Sequence, residues 1–364
     1  MREFESQRIF GLDLLRTIAI LIVVLEHSLP LVSNHFTLLK HLALPDGVDL
    51  FFVLSGFLIG GKLISGIEDK QNFSFKQLGT FLRRRWWRTL PNYFLFLILN
   101  ILLVHFALIK GTLNAYLLSY FCFLQNVFKP VDFLFWESWS LAVEEWFYLL
   151  FPFLLFVLFK FRSSVWSIKK ALLLSIVLFL ILPLFYRFYS LYFLSSHQNW
   201  DLYYRKLVST RLDAMGFGLL AAYLKQYVPF LWNCGKAVWF LAGCLGLFLL
   251  TYFSIALQEQ YVFSRTLYFS LSALLVMLLL PYLDTLSHEP FALKPFAFIS
   301  RISYSMYLLH LPVYQLMFNN LENNSPLGSS FIYGLYWVVT FSLSYLLYRY
   351  FEKPFMHLKK TNAG

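Results

Sequence analysis

Apolar residues run along this chain in blocks of about twenty, and short polar breaks separate the blocks. A helix needs about 20 predominantly apolar residues to cross the hydrocarbon core of a bilayer. The pattern predicts ten such spans, near 11–33, 47–65, 91–110, 138–160, 170–190, 209–228, 236–257, 264–284, 296–318 and 329–351. The stretch 113–128 is apolar but short, and reads as a half-helix or an interfacial piece. The start, MREFESQR, is polar, and the first apolar run carries charges with no small-residue cleavage site after it. The first segment therefore reads as a retained helix and not as a cleavable signal.

Composition agrees with the pattern. Hydrophobic types make up 59% of the 364 residues and charged types 13%, against roughly 45–50% and about 25% in soluble chains. Aromatic residues at 21% exceed what a water-exposed surface carries. A soluble enzyme, a disordered regulator and a secreted disulfide scaffold are excluded. The three cysteines, Cys122, Cys234 and Cys244, lie in or beside apolar stretches and show neither a disulfide framework nor metal-ligand spacing.

The net charge of +11 does not point to nucleic acid, because so few charges leave no phosphate-tracking face. Membrane topology accounts for it better, since cytoplasmic loops collect Lys and Arg. With the N-terminus placed in the cytoplasm, the ten spans divide the Lys and Arg residues 22 to 8 in favour of the cytoplasmic side. The fold class expected is an all-α integral-membrane bundle of about ten transmembrane helices with both termini cytoplasmic. A single domain over 1–364 is expected, with short polar tails at about 1–8 and 355–364. The location expected is the inner (cytoplasmic) membrane.

Ionisable groups inside spans carry the chemistry, since each costs about 2.5–3.5 kcal/mol at a helix centre on insertion scales. The first span, GLDLLRTIAILIVVLEHS, holds Asp13, Arg16, Glu26 and His27. Eleven residues at about 100° each bring His27 to within about 20° of Arg16 around the helix, about 16 Å further along it. Asp13 lies one turn before Arg16 and pairs with it on that face. A snorkelling interfacial pair also accounts for Asp13 and Arg16. It does not account for His27, which has an apolar run before it. An imidazole titrates near neutrality and suits general-base work, although a structural His bonded to a neighbouring helix remains an alternative.

Three further constellations stand out. In SWSLAVEEWFYLLFP, Ser140, Glu144 and Tyr148 are four apart and share a face; Glu144 either orients an imidazole or belongs to a packing network. Glu145 is offset from that face and less central. In FLRRRWWRTLPNY, Arg85 and Arg88 are one turn apart among Arg83, Arg84, Trp86 and Trp87. That cluster reads as an anion clamp with rings for stacking, or as positive-inside anchoring. In ISRISYSMYLLHLPVY, Ser303, Tyr307 and His310 make a second polar face, with His310 about 14 residues into its span. Gly56 and Gly60 in SGFLIGG read as a small-residue helix contact and not as a nucleophile elbow around Ser55.

Taken together, GLDLLRTIAILIVVLEHS, GVDLFFVLSGFLIGGKL, RWWR, WSLAVEEWFYLLFP, TRLDAMGFGLLA and ISYSMYLLHLP resemble, in order and spacing, the membrane acyltransferase-3 family. The resemblance runs from about residue 8 to FEKPF near the C-terminus. It implies a ten-span O-acyltransferase that moves an acyl group, usually acetyl, from cytoplasmic acyl-CoA to a carbohydrate hydroxyl. The acceptor implied is an envelope or exported glycan: exopolysaccharide, lipopolysaccharide, peptidoglycan or a lipid-linked glycan. The family's Arg–ten residues–His pair falls on Arg16 and His27, its Arg-x-x-Arg pair on Arg85 and Arg88, and its WSLxxE motif on Trp139, Ser140, Leu141 and Glu144. Its SYxxYLxH motif falls on Ser303, Tyr304, Tyr307 and His310, and Arg211 with Asp213 matches the polar start of the sixth span. Many relatives carry an extra C-terminal hydrolase-like domain. The expectation here is the stand-alone form, with no permanently bound cofactor and acyl-CoA as donor substrate.

On that reading Arg85, Arg88 and Arg16 hold acyl-CoA at the inner mouth, and His27 deprotonates the acceptor hydroxyl. Glu144 orients His27 or holds its positive charge, and Asp13, Trp139, Ser140, Arg211, Asp213, Ser303, Tyr304, Tyr307 and His310 position substrate. A continuous passage from the arginines to His27 is expected, and no metal. A covalent acyl-His step, a succinyl donor and an amine or lipid acceptor stay open. The competing classes are a proton-coupled secondary transporter of a glycan precursor or small anion and a non-catalytic membrane scaffold. Acyl-CoA-dependent product formation, set against substrate flux across sealed vesicles, separates the first two.

Overall fold

The computed structural model describes residues 9–32, 44–70, 74–130, 134–160, 167–194, 199–256, 262–287, 293–320 and 325–356. The expected N-terminal tail, and 357–364 of the C-terminal one, lie outside the described residues. Thirteen α-helices and no strand occur among the described residues. Each of the ten expected spans is a helix: α1 (Phe10–Ser28), α2 (Gly47–Lys70), α3 (Phe75–His105), α5 (Ser138–Lys160), α6 (Ile168–Tyr189), α7 (Val208–Tyr227), α9 (Lys236–Ala256), α11 (Leu267–Leu283), α12 (Lys294–Asn320) and α13 (Pro326–Leu347). Three short helices lie between them: α4 (Leu117–Phe121), α8 (Pro229–Asn233) and α10 (Val262–Arg265). The chain is an all-α, multi-pass membrane protein.

Among the described residues, seven helices are long and apolar enough to cross a membrane by length and composition: α1, α2, α3, α5, α6, α9 and α13. The other three expected spans differ for physical reasons. α11 is apolar but only 17 residues long. α7 and α12 carry the Arg, Asp, Ser, Tyr and His residues singled out above, which lower their hydropathy. The stretch 113–128 does not span, because only the five residues of α4 are helical within it.

One boundary moves well away from its expected place. α3 begins at Phe75, not near 91, because a capping box closes its first turn. The Ser74 side chain accepts from Gln77 N, and the Gln77 side chain accepts from Ser74 N. The helix runs through Pro91, so the arginine cluster sits on a continuous helical face that leads into the span.

Packing places α7 at the centre, against α2, α6, α11 and α5, while α1 lies on α12 and α12 on α13. The α2–α7 approach is backbone to backbone. A Cβ at Gly56 would stand 2.1 Å from the Met215 carbonyl oxygen, and one at Gly218 2.1 Å from that of Val53. This is the small-residue contact the sequence predicts, with Gly60 extending it against Leu219 and Ala222. α9 packs on α11 at the periphery and turns Val238, Leu241, Phe248 and Phe253 outward. With Phe185 of α6 and Val338 of α13, those side chains form an apolar exterior that only lipid accommodates.

Candidate functional site

Helices α1, α2, α3, α5 and α12 line a cavity of about 130 Å³. Eight of the expected site residues line it: Arg16, Arg85, Arg88, Ser140, Glu144, Ser303, Tyr304 and Tyr307. They come from four helices spread over the chain. Helical spacing brings them together, because Ser140, Glu144 and Tyr148 present one face of α5, and Arg85 and Arg88 present one face of α3.

Polar bonding divides the cavity into layers. At one end Asp13 accepts from Arg16 at 3.1 Å and from Ser300 at 2.8 Å, which ties α1 to α12. Arg85 lies half-buried with its guanidinium 5.3 Å from the Tyr148 ring centre, and Arg88 is exposed. Among the described residues neither of these two arginines forms an ion pair. Tyr304 donates to the Thr89 carbonyl at 2.8 Å, fixing α12 against α3. At the other end the Ser140 and Tyr307 hydroxyls are 2.6 Å apart, and Tyr307 also donates to the Glu137 carbonyl at 3.1 Å. Both hydroxyl-bearing residues line the cavity.

The two histidines lie just past it. The His310 ring is 5.6 Å from the Tyr307 ring and 5.1 Å from the His27 ring. His310 Nδ1 is 2.6 Å from the Tyr307 carbonyl oxygen. A carbonyl only accepts, so this nitrogen carries the hydrogen, and His310 Nε2 is left as an acceptor. His27 Nδ1 lies 2.8 Å from the Val23 carbonyl and 3.3 Å from His310 Nε2. Both of those neighbours accept, so His27 Nδ1 carries its hydrogen and His27 Nε2 keeps a bare lone pair. The helix backbone thus sets both tautomers. The His27 ring is half-buried against His310 of α12, while His310 is completely buried.

Several expectations change here. Glu144 does not bond to His27; its two oxygens accept from Ser55 and Tyr148, each at 2.9 Å, on the arginine side of the cavity. The physical reason is depth, because Glu144 is one turn beyond Ser140 along α5 and faces α2 and α3. His310, expected to position substrate, lies against His27. The lining of the cavity includes neither histidine, and Tyr307, which does line it, stands next to His310. Trp86 donates its indole N–H to Glu145 at 3.2 Å, and Thr89 donates to the same carboxylate at 2.7 Å. Glu145 is thereby an α3–α5 clasp.

Arg211, Asp213 and Trp139 stand apart from the cavity. Arg211 pairs with Asp49 of α2, with both side chains fully buried. Asp213 pairs with Arg187 of α6 at 2.7 Å, also buried. Trp139 packs edge-on against Phe52, with the Arg205 guanidinium 5.6 Å from its ring centre. Arg187, near the end of the expected span 170–190, is 0% exposed inside the bundle.

The same face holds residues that the sequence reading missed. Ser55 supports Glu144; its only signal was its place beside Gly56. Ser300 bridges Asp13 and Arg16. Glu352, in a π-helical turn after α13, lines the cavity and accepts from Ser305 at 2.6 Å and Asn92 at 3.3 Å. Beyond the histidines, Arg205 bonds Asp46 at 2.8 Å and Asp201 at 3.0 Å, and Lys206 also pairs with Asp201. Burial works to raise the Asp46 carboxyl, but the Arg205 charge and hydrogen bond outweigh it and hold the group down at about 2. No group of His, Cys, Asp and Glu fit to hold a metal ion occurs among the described residues.

Comparison with known proteins gives a consistent picture. No solved structure matches the chain. An O-acetyltransferase OatA of Staphylococcus aureus is 26% identical over 94% of this chain and 56% of its own length. A peptidoglycan O-acetyltransferase OatA of Listeria monocytogenes is 28% identical over 96% of this chain and 56% of its own. The chain therefore spans just over half the length of these curated relatives. The family described as Acyltransferase domain matches residues 9–349, which takes in every helix described here, and the chain belongs to that family.

Proposed function

We propose that this chain transfers an acetyl group from cytoplasmic acyl-CoA to a hydroxyl of a cell-wall carbohydrate, peptidoglycan first among the acceptors, at the cytoplasmic membrane. One observation carries the reading: a cavity lined by Arg85 and Arg88 and by the Ser140–Tyr307 hydroxyl pair lies beside the paired His310 and His27 imidazoles. The names of the relatives, O-acetyltransferases and in one case a peptidoglycan O-acetyltransferase, point the same way.

The donor is a phosphate-rich nucleotide on a long, thin thioester arm. Guanidinium forks bind phosphate bidentately, and the narrow cavity suits the arm. The thioester then lies at the Ser140–Tyr307 pair, whose hydroxyls hydrogen-bond its carbonyl oxygen as they part. His27 Nε2 takes the proton of the acceptor hydroxyl while that oxygen attacks the thioester carbon. The C–S bond breaks, an ester C–O bond forms, and the thiolate recovers the proton from His27. His310 is a positioning residue, because its Nε2 holds His27 Nδ1–H and stabilises the imidazolium side of the cycle.

Membrane vesicles given labelled acetyl-CoA are expected to label a glycan. His27→Ala is expected to lower the rate about 10²–10⁴-fold, the usual contribution of a general base, with protein abundance intact. Turnover within a few-fold of the parent would remove His27 as the base. Flux of an unmodified substrate with no acyl-CoA requirement would instead favour a transporter.

A further inference from the structure

Helix α12 serves two cavities, and His310 divides them. The turns before it, Ser300 to Tyr307, line the arginine cavity. The turns after it present Leu311, Tyr314, Gln315 and Phe318, at the spacing of one helix face, to a second cavity of about 310 Å³. That space lies at the small end of the roughly 300–1,000 Å³ of small-molecule sites. Its opposite wall is Leu134 and Trp136, just ahead of α5, with Lys110 at the rim. The two cavities approach the histidine pair from opposite ends of the same helix.

The second cavity has a defined chemistry. Trp136, Tyr314 and Phe318 give it aromatic walls, with the Tyr314 and Phe318 rings stacked at 5.6 Å. Lys206 sits 4.0 Å from the Trp136 ring centre and is itself held by Asp201, so the indole is braced from one side. Gln315 Oε1 is buried without a hydrogen-bond partner, and a buried acceptor left unmade costs free energy that an incoming donor recovers. Lys110 is exposed at the rim and supplies a cation. An acyl tail would fill the apolar walls but would leave the amide oxygen bare. A pyranose ring satisfies both, since its C–H face stacks on an indole and its hydroxyl or amide N–H groups donate.

We propose that this second cavity is the acceptor subsite: a sugar of the glycan chain stacks on Trp136 and donates a hydrogen bond to Gln315 Oε1, with an acidic group of the same chain at Lys110. The assignment rests on the acyltransferase reading above and adds to it the residues that hold the acceptor.

The test uses the full chain in lipid nanodiscs, with chitotetraose and cellotetraose as probes and acetyl-CoA as donor. Gln315→Leu, close to isosteric, and Trp136→Ala are each expected to raise the half-saturating concentration of oligosaccharide about tenfold. The acetyl-CoA half-saturation is expected to stay within twofold. Where Trp136→Ala folds poorly, Gln315→Leu with Trp136→Phe replaces it. Direct binding of fluorescently labelled oligosaccharide, measured without acetyl-CoA, separates the two proposals. Binding that is weakened by both substitutions sustains the subsite even if no acetyl transfer is seen. Binding or acceptor half-saturation that is unchanged in both variants overturns it, as does occupancy by lipid tails that neither oligosaccharide displaces.

Discussion

Two groups of intramembrane charges lie side by side in this bundle and behave differently. In the block formed by α2, α6, α7 and α11, both fully buried arginines meet a buried carboxylate. Arg211 pairs with Asp49, which also accepts from Ser272 at 2.7 Å, and Arg187 pairs with Asp213, which accepts from Ser270 at 2.6 Å. Neither ion pair lines either of the two cavities described above. In the region formed by α1, α3, α5 and α12, Arg85 and Arg88 form no ion pair among the described residues and line the cavity. Both groups are costly to place in a membrane. The difference shows that burial of a charge identifies a constraint, and that only a cavity beside a cation identifies a place for a ligand.

The largest effect expected from this contrast is structural. Arg211→Ala leaves Asp49 buried without its countercharge, at a cost of about 3–5 kcal/mol. A steep fall in folded yield and unfolding temperature in detergent is expected, with turnover per folded molecule retained. Arg211→Met combined with Asp49→Leu is expected to recover most of the yield, because an apolar pair of similar volume replaces a buried ion pair at little cost. Normal folding of Arg211→Ala with a raised substrate requirement would break the contrast and return Arg211 to the substrate-binding set. The α3 arginines are expected to show the reverse. A charge-assisted hydrogen bond is worth about 1.5–3 kcal/mol, so Arg85→Ala and Arg88→Ala should each raise the acyl-CoA half-saturation tenfold or more, with folded yield unchanged. Loss of yield equal to that of Arg211→Ala would make them structural too.

The sequence already contained most of the fold, because bilayer thickness fixes the length of an apolar block and each of the ten blocks is a helix. It also contained the members of the arginine cavity, since three- and four-residue spacing puts Arg85 with Arg88 and Ser140 with Glu144 on common faces whatever the neighbours are. Depth between helices was not legible. Counting along α5 puts Glu144 inside its span but does not say which helix it faces, and the neighbours turn out to be Ser55 and Tyr148 and not His27. Partner identity was hidden in the same way. Asp49 was visible as an acid in GVDLFF, yet only the close approach at Gly56 and Gly218 brings α2 near enough to α7 for Arg211 to reach it. The His27–His310 pair joins residues 283 apart in sequence, and no local pattern specifies that register.

A third ion pair sets the scale between the two groups. Asp46 and Arg205 stand at the far end of the bundle from Arg85, with side chains 11% and 16% exposed, where Asp49 and Arg211 are both at 0%. If burial governs the cost of losing a partner, this pair matters less than Arg211–Asp49 and more than a fully solvated one. Asp46→Asn tests the charge alone, because the amide oxygen can still accept from Val48 N at the start of α2, as Asp46 does at 2.9 Å. The Asp46 carboxyl is held at about 2, below its ordinary 3.8, so its stabilising contribution is complete above pH of about 4 and is lost as pH falls toward 2. The unfolding temperature is therefore expected to owe nothing to this group's titration between pH 8 and 5. Asp46→Asn should lower it modestly across that window, and the gap between variant and parent should close on approach to pH 2. A loss at pH 7 as large as that of Arg211→Ala would show that position in the bundle, and not burial, sets the cost. A gap that persisted unchanged to pH 2 would show that the Arg205 charge is not what holds Asp46.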